Sequence, residues 1–462
     1  MLRKLVGDRA FYRRVLVLML PIMLQNGITN FVNMLDNVMV GSIGTNEMTG
    51  VAVVNQLIFV FNLCIFGVVS GAGIFGAQFF GSGDHGGVRH AFRFKILSGL
   101  LITLLAIALF WFCGDGLTRL YLQGEGDAAA AEAALGFGRD YLRLMLIGLI
   151  PYTIVQCYSG TLRECGQATP PMVAGIIAVL VNLALNYVLI FGNFGAPKLG
   201  VIGAALATVI SRYIELIIIA AWTRKHANDV PFIRGAFKSL HVPKWLVGRI
   251  LAKGLPLMLN ETMWAAGMAT LSQCYSTHSL DVVAANNISS TFFNVFGVAF
   301  MSVGVSIGII IGQDLGANEL ERAREDNRKL IFFSFMLSVV VAIVYAITAN
   351  WIPLLYNTTP TVRHLATVLM QITALAMPFD SIAQATYFTL RSGGKVLITF
   401  LFDSGFVWGI CVTTAYALSA FTSLSVLWIF FIIQMFNLVK AIGGILLVKK
   451  GVWMKNIVAE HL

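Results

Sequence analysis

The chain has 462 residues, of which 58% are hydrophobic and only 12% charged, with a mean hydropathy of +0.81. A soluble domain carries about 25% charged residues, so lipid is the natural solvent for most of this chain, and a soluble enzyme is excluded. The net charge of +10 and pI near 9.4 are compatible with nucleic-acid binding or with the positive-inside bias of a membrane protein, and counting basic residues along the chain separates the two.

A bilayer-spanning helix takes roughly 20 apolar residues. The apolar runs predict twelve spans, at about 15–40, 48–80, 96–113, 135–160, 171–192, 200–222, 250–278, 282–314, 330–350, 365–390, 396–418 and 424–448. The expected fold is therefore an all-α integral membrane protein with twelve transmembrane helices. With the N-terminus inside, the inward segments and their flanks take 26 of the 32 Lys and Arg residues. Five fall on the outer side (Arg119, Arg139, Arg143, Lys198 and Arg363), counting residues near a span end as flanks, and Arg212 alone is expected near the middle of a span. The positive charge thus orients the chain in the membrane, places both termini in the cytoplasm, and leaves no case for a nucleic-acid partner.

The first span follows the basic segment LRKLVGDRAFYRR, yet it is too long for a signal-peptide core and lacks a small-residue cleavage site. It reads as a retained helix. Within it, NFVNMLDNVMVG (30–41) carries an acid. Asn26, Asn30, Asn33 and Asn37 are spaced 4, 3, 4, and Thr29, Asn33 and Asp36 are spaced 4, 3. At 3.6 residues per turn these share one side of the helix, away from Ile28, Leu35 and Val38. An Asp at mid-membrane costs about 2.5–3.5 kcal/mol on insertion scales, a cost that neighbouring amides and water offset. Desolvation disfavours the anionic form of a carboxyl, which suits such a group to take up and release a proton or to hold a small cation. The other reading is a hydrogen-bonded seam between helices around a permanently neutral Asp.

Later spans repeat the pattern. Asn55 and Asn62 lie seven apart in the second, and Asn182 and Asn186 four apart in the fifth. In the sixth, Arg212 and Glu215 are spaced to pair with each other. The basic segment TRKHANDVPFIRGAFKSLHVPKW then reads as a linker between lobes. In the seventh span Asn260-Glu261 sits one turn past Pro256, with Trp264 on the face of Glu261. In the tenth, Asp380, Gln384 and Tyr387 are spaced 4, 3. The six cysteines form no C-x-x-C pair, and the histidines form no metal motif. No G-x-x-x-x-G-K-[ST] signature of ATP binding occurs. No cofactor is expected, and transport by such a chain would draw on an ion gradient.

The chain also repeats itself. At an offset of 235 residues, Pro21 falls on Pro256, Gln78-Phe-Phe-Gly81 on Gln313-Asp-Leu-Gly316, and Arg89 and Arg93 on Arg324 and Arg328. With one gap, Pro151 meets Pro378, Gln156 meets Gln384, and Leu162-Arg163 meets Leu390-Arg391. Six spans per half make the halves parallel repeats related by an axis along the membrane normal. The expected organisation is two pseudo-symmetric six-helix lobes, 1–222 and 250–462, joined by a cytoplasmic linker at 223–249.

These pieces together resemble the multidrug and toxic compound extrusion (MATE) family. The resemblance rests on Pro21 with Asp36 in D-N-V-M-V-G-S-I-G (36–44), on A-Q-F-F-G-S-G (77–83) and its echo G-Q-D-L-G-A-N (312–318), on N-L-A-L-N-Y-V-L-I-F-G (182–192), and on G-A-A-L-A-T (203–208). L-R-E-C-G (162–166) and L-R-S-G-G-K (390–395) complete it. It implies export of organic, often cationic, compounds against inward H+ or Na+. One branch of the family couples through an Asp of the first helix with an Asn and an Asp of the fifth. Asp36 and Asn182 match, and Asn186 stands where the second Asp would be. Another branch uses a Glu of the seventh helix and an Asp of the tenth. Asp380 matches, while Trp264 occupies the Glu position, with Glu261 one turn earlier.

The expected coupling residues are therefore Asp36, Asn33, Asn182 and Asn186, with Glu261 and Asp380 as a second acidic focus. A cargo cleft would be lined by Gln25, Asn30, Asn55, Trp264, Asn287, Gln384 and Tyr387, with Phe31, Phe59 and Phe293 as further aromatic surface. Expected partners are small-molecule drugs or organic cations and the lipid bilayer, without an obligatory protein partner, in a bacterial plasma membrane. A flippase for a lipid-linked precursor is the alternative, but it needs several basic residues at membrane depth. An intramembrane enzyme needs a nucleophile or metal motif that the spans do not show.

Overall fold

The computed structural model describes residues 5–122, 128–276 and 279–459, and the regular structure among them is helical. The long helices are α1 (Arg9–Gly41), α2 (Thr45–Gly81), α3 (His85–Leu122), α4 (Ala128–Glu164), α5 (Thr169–Phe191), α6 (Val201–Lys225), α7 (Lys244–Ser276), α8 (Leu280–Gly316), α9 (Leu320–Thr348), α10 (Pro360–Ser392), α11 (Val396–Phe421) and α12 (Val426–Lys449). Eleven are long and apolar enough to cross a membrane. The remaining one, α7, has 33 residues and carries Asn260, Glu261 and Thr262 together near its middle. The fold is that of a multi-pass membrane protein. Several helices run beyond the apolar runs seen in sequence: α3 begins at His85, well before residue 96, because its polar first turns continue the same hydrogen-bonded ladder.

Local chemistry sets many of the boundaries. α5 opens on Pro170-Pro171 and stops at Gly192, whose left-handed backbone (φ 75°) caps it. The Ser279 side chain accepts from the Val282 N–H at the start of α8, and Thr359 does the same for Val362 ahead of Pro360 in α10. Pro21, Pro151, Pro256 and Pro378 all lie inside helices. α11 departs from α-geometry: Leu401–Gly405 and Val407–Val412 are wound as π-helix, around Asp403. Such turns are rare and concentrate at functional sites.

The chain forms two compact units. One, the C-unit, comprises Met1–Met23, Ala77–Asp84 and Leu255–Leu462. The other, the N-unit, comprises Leu24–Gly76 and His85–Gly254. The C-unit packs around Tyr345, Ala366, Met370, Met377 and Ile429. The N-unit packs around Val54, Ile65, Leu149, Ile190 and Ala205.

The repeat shows in the C-unit at the ends of α2 and α8. A Cβ at Gly81 would run into the backbone carbonyl of Gln313, and one at Gly316 into that of Gln78. Positions matched at an offset of 235 thus meet reciprocally, and each needs glycine for the backbones to approach. Beside this crossing, the Gln78 side chain donates to Ser392 O (3.0 Å) and Lys455 O (3.2 Å) and accepts from the Ile457 N–H (2.8 Å), docking the C-terminal tail. In the N-unit, Arg89 and Arg93 hold residues 232–241, within the segment that the sequence reading assigns to the linker. Arg89 Nε donates to Phe232 O (3.2 Å), and Arg93 to Ala236 O (2.7 Å), Gly235 O (2.8 Å) and His241 O (3.2 Å).

Two expectations need correction. Arg212 is not the sole basic residue at helical depth: Lys95 is fully buried in α3, with Nζ 2.6 Å from both Glu164 oxygens, and Lys440 is buried in α12. Each was read as a flanking charge because it lies near the basic end of its span. Arg212 also makes no direct ion contact with Glu215, although the two remain electrostatic neighbours. Its guanidinium lies over the Tyr152 ring (4.9 Å) and donates to Gly148 O (3.3 Å), since the neighbouring helix α4 offers those partners.

Candidate functional site

In the N-unit, α1 and α5 bring Asp36, Asn182 and Asn186 together, as the resemblance implied. Asn186 Nδ2 donates to Asp36 Oδ1 at 2.6 Å. In the orientation that satisfies its surroundings, the Asn182 amide nitrogen donates to Asp36 Oδ2 (3.0 Å) and Oδ1 (3.2 Å), and its oxygen faces Thr208 Oγ1 at 3.2 Å. Both asparagines are buried, while Asp36 is half-buried. The i, i+4 spacing stacks the two amides on one face of α5, so both reach one carboxylate. Asn186 Oδ1 is buried without a hydrogen-bond partner, so one acceptor next to the carboxylate is left free.

Other polar residues of α1 behave differently. Asn33 is exposed and makes no hydrogen bond to Asp36 among the described residues. The side chain of Asn37 lies outside the described residues. Gln25 Oε1 accepts from Arg163 Nη2 at 2.6 Å. Asn30 is half-buried and Phe31 exposed. In α2, Asn55 is exposed and accepts from the Tyr141 hydroxyl at 3.5 Å.

In the C-unit a longer polar network joins α7, α10, α11 and α12. Tyr387 donates to Glu261 Oε1 (3.0 Å) and accepts from Asn260 Nδ2 (3.3 Å). Asn260 also donates to Asp403 Oδ2 (3.0 Å), and Lys440 Nζ lies 2.6 Å from Asp403 Oδ1. Ser404 closes the group by donating to Asn260 O (2.7 Å). Asp380 is an electrostatic neighbour of both Asp403 and Lys440, and Glu261 of Asp403 and Arg391. The two acids expected to form one focus are thus each tied to Asp403. Trp264 packs against the apolar core, Asn287 is exposed, and Gln384 is half-buried. Asp403 and Lys440 were absent from the sequence-derived set.

The sequence profile of the MatE family matches residues 21–188 and again 256–413, most of the chain. The chain belongs to the MatE family. The two MatE matches begin at Pro21 and Pro256, the prolines of the internal repeat. A probable multidrug resistance protein, YoeA, from Bacillus subtilis (strain 168) is 25% identical over 420 residues, covering 90% of this chain and 89% of that one. Among solved structures, an outward-facing multidrug resistance MATE transporter of the MOP superfamily aligns with a TM-score of 0.84 at 19% identity, over 97% of both chains. A MOP superfamily transporter from Pyrococcus furiosus, described as having a binding pocket of reversed polarity, aligns at 0.82 and 19%, again over 97% of both. At that identity the structural likeness shows the MatE fold and nothing finer.

Proposed function

We propose that the chain is a secondary active multidrug exporter, carrying organic and often cationic compounds out of a bacterial cell in antiport with H+ or Na+, with Asp36 as the coupling carboxylate. The observation that carries this is the Asp36–Asn186–Asn182 cluster: one acid, two buried amide donors, and an orphan amide oxygen beside it.

The cluster is suited to carry a proton, and a hard cation, which takes oxygen ligands, would draw on the same amides turned over; pH and sodium gradients imposed separately decide between them. Each protonation state can be satisfied by rotating one amide. The anion accepts from Asn186 Nδ2. Once protonated, the acid donates its O–H to Asn186 Oδ1 after that amide turns over. Proton and cationic cargo then compete for the same carboxylate, and a ligand shifts an equilibrium only by binding the two states differently. Alternating access of the two repeats resets the site.

The C-unit acids support assigning the coupling role to Asp36. Asp403 is neutralised by Lys440, so that network already contains a cation covalently attached to the chain. Glu261 and Asp380 stand around this pair as supporting charges.

Ethidium accumulation in inverted vesicles, or its gradient-driven transport in proteoliposomes, with pH and sodium gradients imposed separately, tests the reading. The expected result is transport driven by the pH gradient and lost in Asp36→Asn. Gradient-driven export by Asp36→Asn at the parental rate removes Asp36 from the coupling role.

A further inference from the structure

The repeat arginines have unequal surroundings. In the N-unit, Arg89 and Arg93 spend their donors on linker carbonyls. Their repeat counterparts, Arg324 and Arg328, instead border a groove of about 460 Å³ in the C-unit, between α9 and α12 and floored by Ile382 of α10. Lys449 joins them at the rim. Among the described residues, the ion contact of Arg324 is a long one, to Glu321 at 3.7 Å. The remaining acids of the first turns of α9 are engaged elsewhere: Glu325 with Lys329 (3.8 Å), and Asp326 with Lys329 (3.5 Å), Arg14 (3.6 Å) and Arg322 (3.8 Å).

Below the rim the groove turns apolar, through Ile331, Phe332, Phe335 and Ile445. It contains one buried polar side chain, Asn327, which is 1% exposed. Asn327 Oδ1 accepts from the Thr389 hydroxyl at 2.6 Å, which leaves its Nδ2 donors for the groove. Beyond the apolar part, the same helices present exposed hydrophobic strips, Val340, Ile343 and Ile347 on α9 and Val439, Ile442 and Leu446 on α12. In a multi-pass membrane protein these strips face acyl chains.

We propose that this groove binds one anionic phospholipid, with its phosphate on Arg324, Arg328 and Lys449 and an acyl chain along Phe332, Phe335 and Ile445. The charge arrangement calls for acceptor oxygens of the kind that the linker carbonyls supply to Arg89 and Arg93. The apolar floor calls for a hydrocarbon chain, and an anionic lipid carries both. Basic pockets between transmembrane helices recognise anionic head groups in this way.

The test is titration of delipidated protein in neutral detergent with phosphatidylglycerol, phosphatidylcholine or inorganic phosphate, read by native mass spectrometry and thermal shift. The proposal expects one phosphatidylglycerol retained per chain and a raised melting temperature, with neither phosphatidylcholine nor phosphate reproducing it. The variant Arg328→Gln/Lys449→Gln, both at exposed positions, should bind phosphatidylglycerol at least tenfold more weakly while melting like the parent without lipid. Arg9→Gln, a loss of exposed charge outside the groove, should leave binding unchanged. Equal retention of phosphatidylcholine, or undiminished phosphatidylglycerol binding by the double variant, overturns the proposal. So does a melting shift produced by inorganic phosphate alone. A fourth contrary result would be no lipid response in the parent but a changed melt after truncation at Ala459, which would assign the groove to the chain's own C-terminus.

Discussion

Substituting Lys440→Met deprives Asp403 of its cation while keeping an unbranched side chain of similar length. Lys440 Nζ lies 2.6 Å from Asp403 Oδ1, and the two side chains are 8% and 12% exposed. After the substitution Asp403 keeps one side-chain donor, Asn260 Nδ2 at 3.0 Å. Breaking a buried pair by removing one partner costs about 3–5 kcal/mol, because the other charge stays desolvated. For a cooperative unit the size of the C-unit, about 2–4 °C of melting temperature corresponds to each kcal/mol. The expected fall is therefore ~6–20 °C. Replacing both partners, Lys440→Met/Asp403→Leu, removes the orphan charge, and Asn260 still reaches Tyr387. That variant should melt far closer to the parent than the single one. Thermal melts in dodecyl maltoside, followed by tryptophan fluorescence, read both. A single variant that melts within ~2 °C of the parent, or a double variant no better than the single one, refutes the reasoning.

Two further outcomes follow from local geometry. Gly81→Ala and Gly316→Ala each drive a Cβ into a facing carbonyl, and overpacking of this kind costs about 1–3 kcal/mol. The pair should lower the melting temperature by similar amounts, because the two contacts are reciprocal; a neutral effect of either would contradict the close approach. Arg93→Ala removes three donors from linker carbonyls, each a charge-assisted bond of about 1.5–3 kcal/mol. Limited proteolysis should then cut within 231–241 faster than in the parent, with unchanged rates counting against the clamp.

The repeat was legible because Pro, Gln, Gly and Arg are unusual in apolar helices, so their recurrence at one offset stands out. Eleven of the spans were legible from hydropathy alone, while α7 falls short by that measure because Asn260, Glu261 and Thr262 sit near its middle. The approach of Asn182 and Asn186 to Asp36 followed from the family resemblance, and the i, i+4 spacing explains why both amides reach it. Asn33 shared the Asp36 face by periodicity, yet sharing a helix face does not make two side chains partners. Asp403 is open to the same argument as Asp36, since it stands in an apolar run between Phe402 and Ser404. Its partner could not be read, since pairing with Lys440 joins two helices across a turn, and Lys440 near the basic end of its span looks like an orienting charge. Arg212 and Glu215 show the converse failure. Their i, i+3 spacing allowed a direct pair, but the carbonyl and aromatic ring of α4 take the direct contacts of the arginine and leave Glu215 an electrostatic neighbour.

The central claim is that Asp36 exchanges its ion for cargo. Ion release on binding of a lipophilic cation such as tetraphenylphosphonium, measured on purified protein in weakly buffered detergent solution with a pH indicator, tests it most directly. The account predicts proton release on cation binding by the parent, rising toward about one proton per cation as the starting pH is lowered, and none by Asp36→Asn. Equal proton release from Asp36→Asn would contradict it.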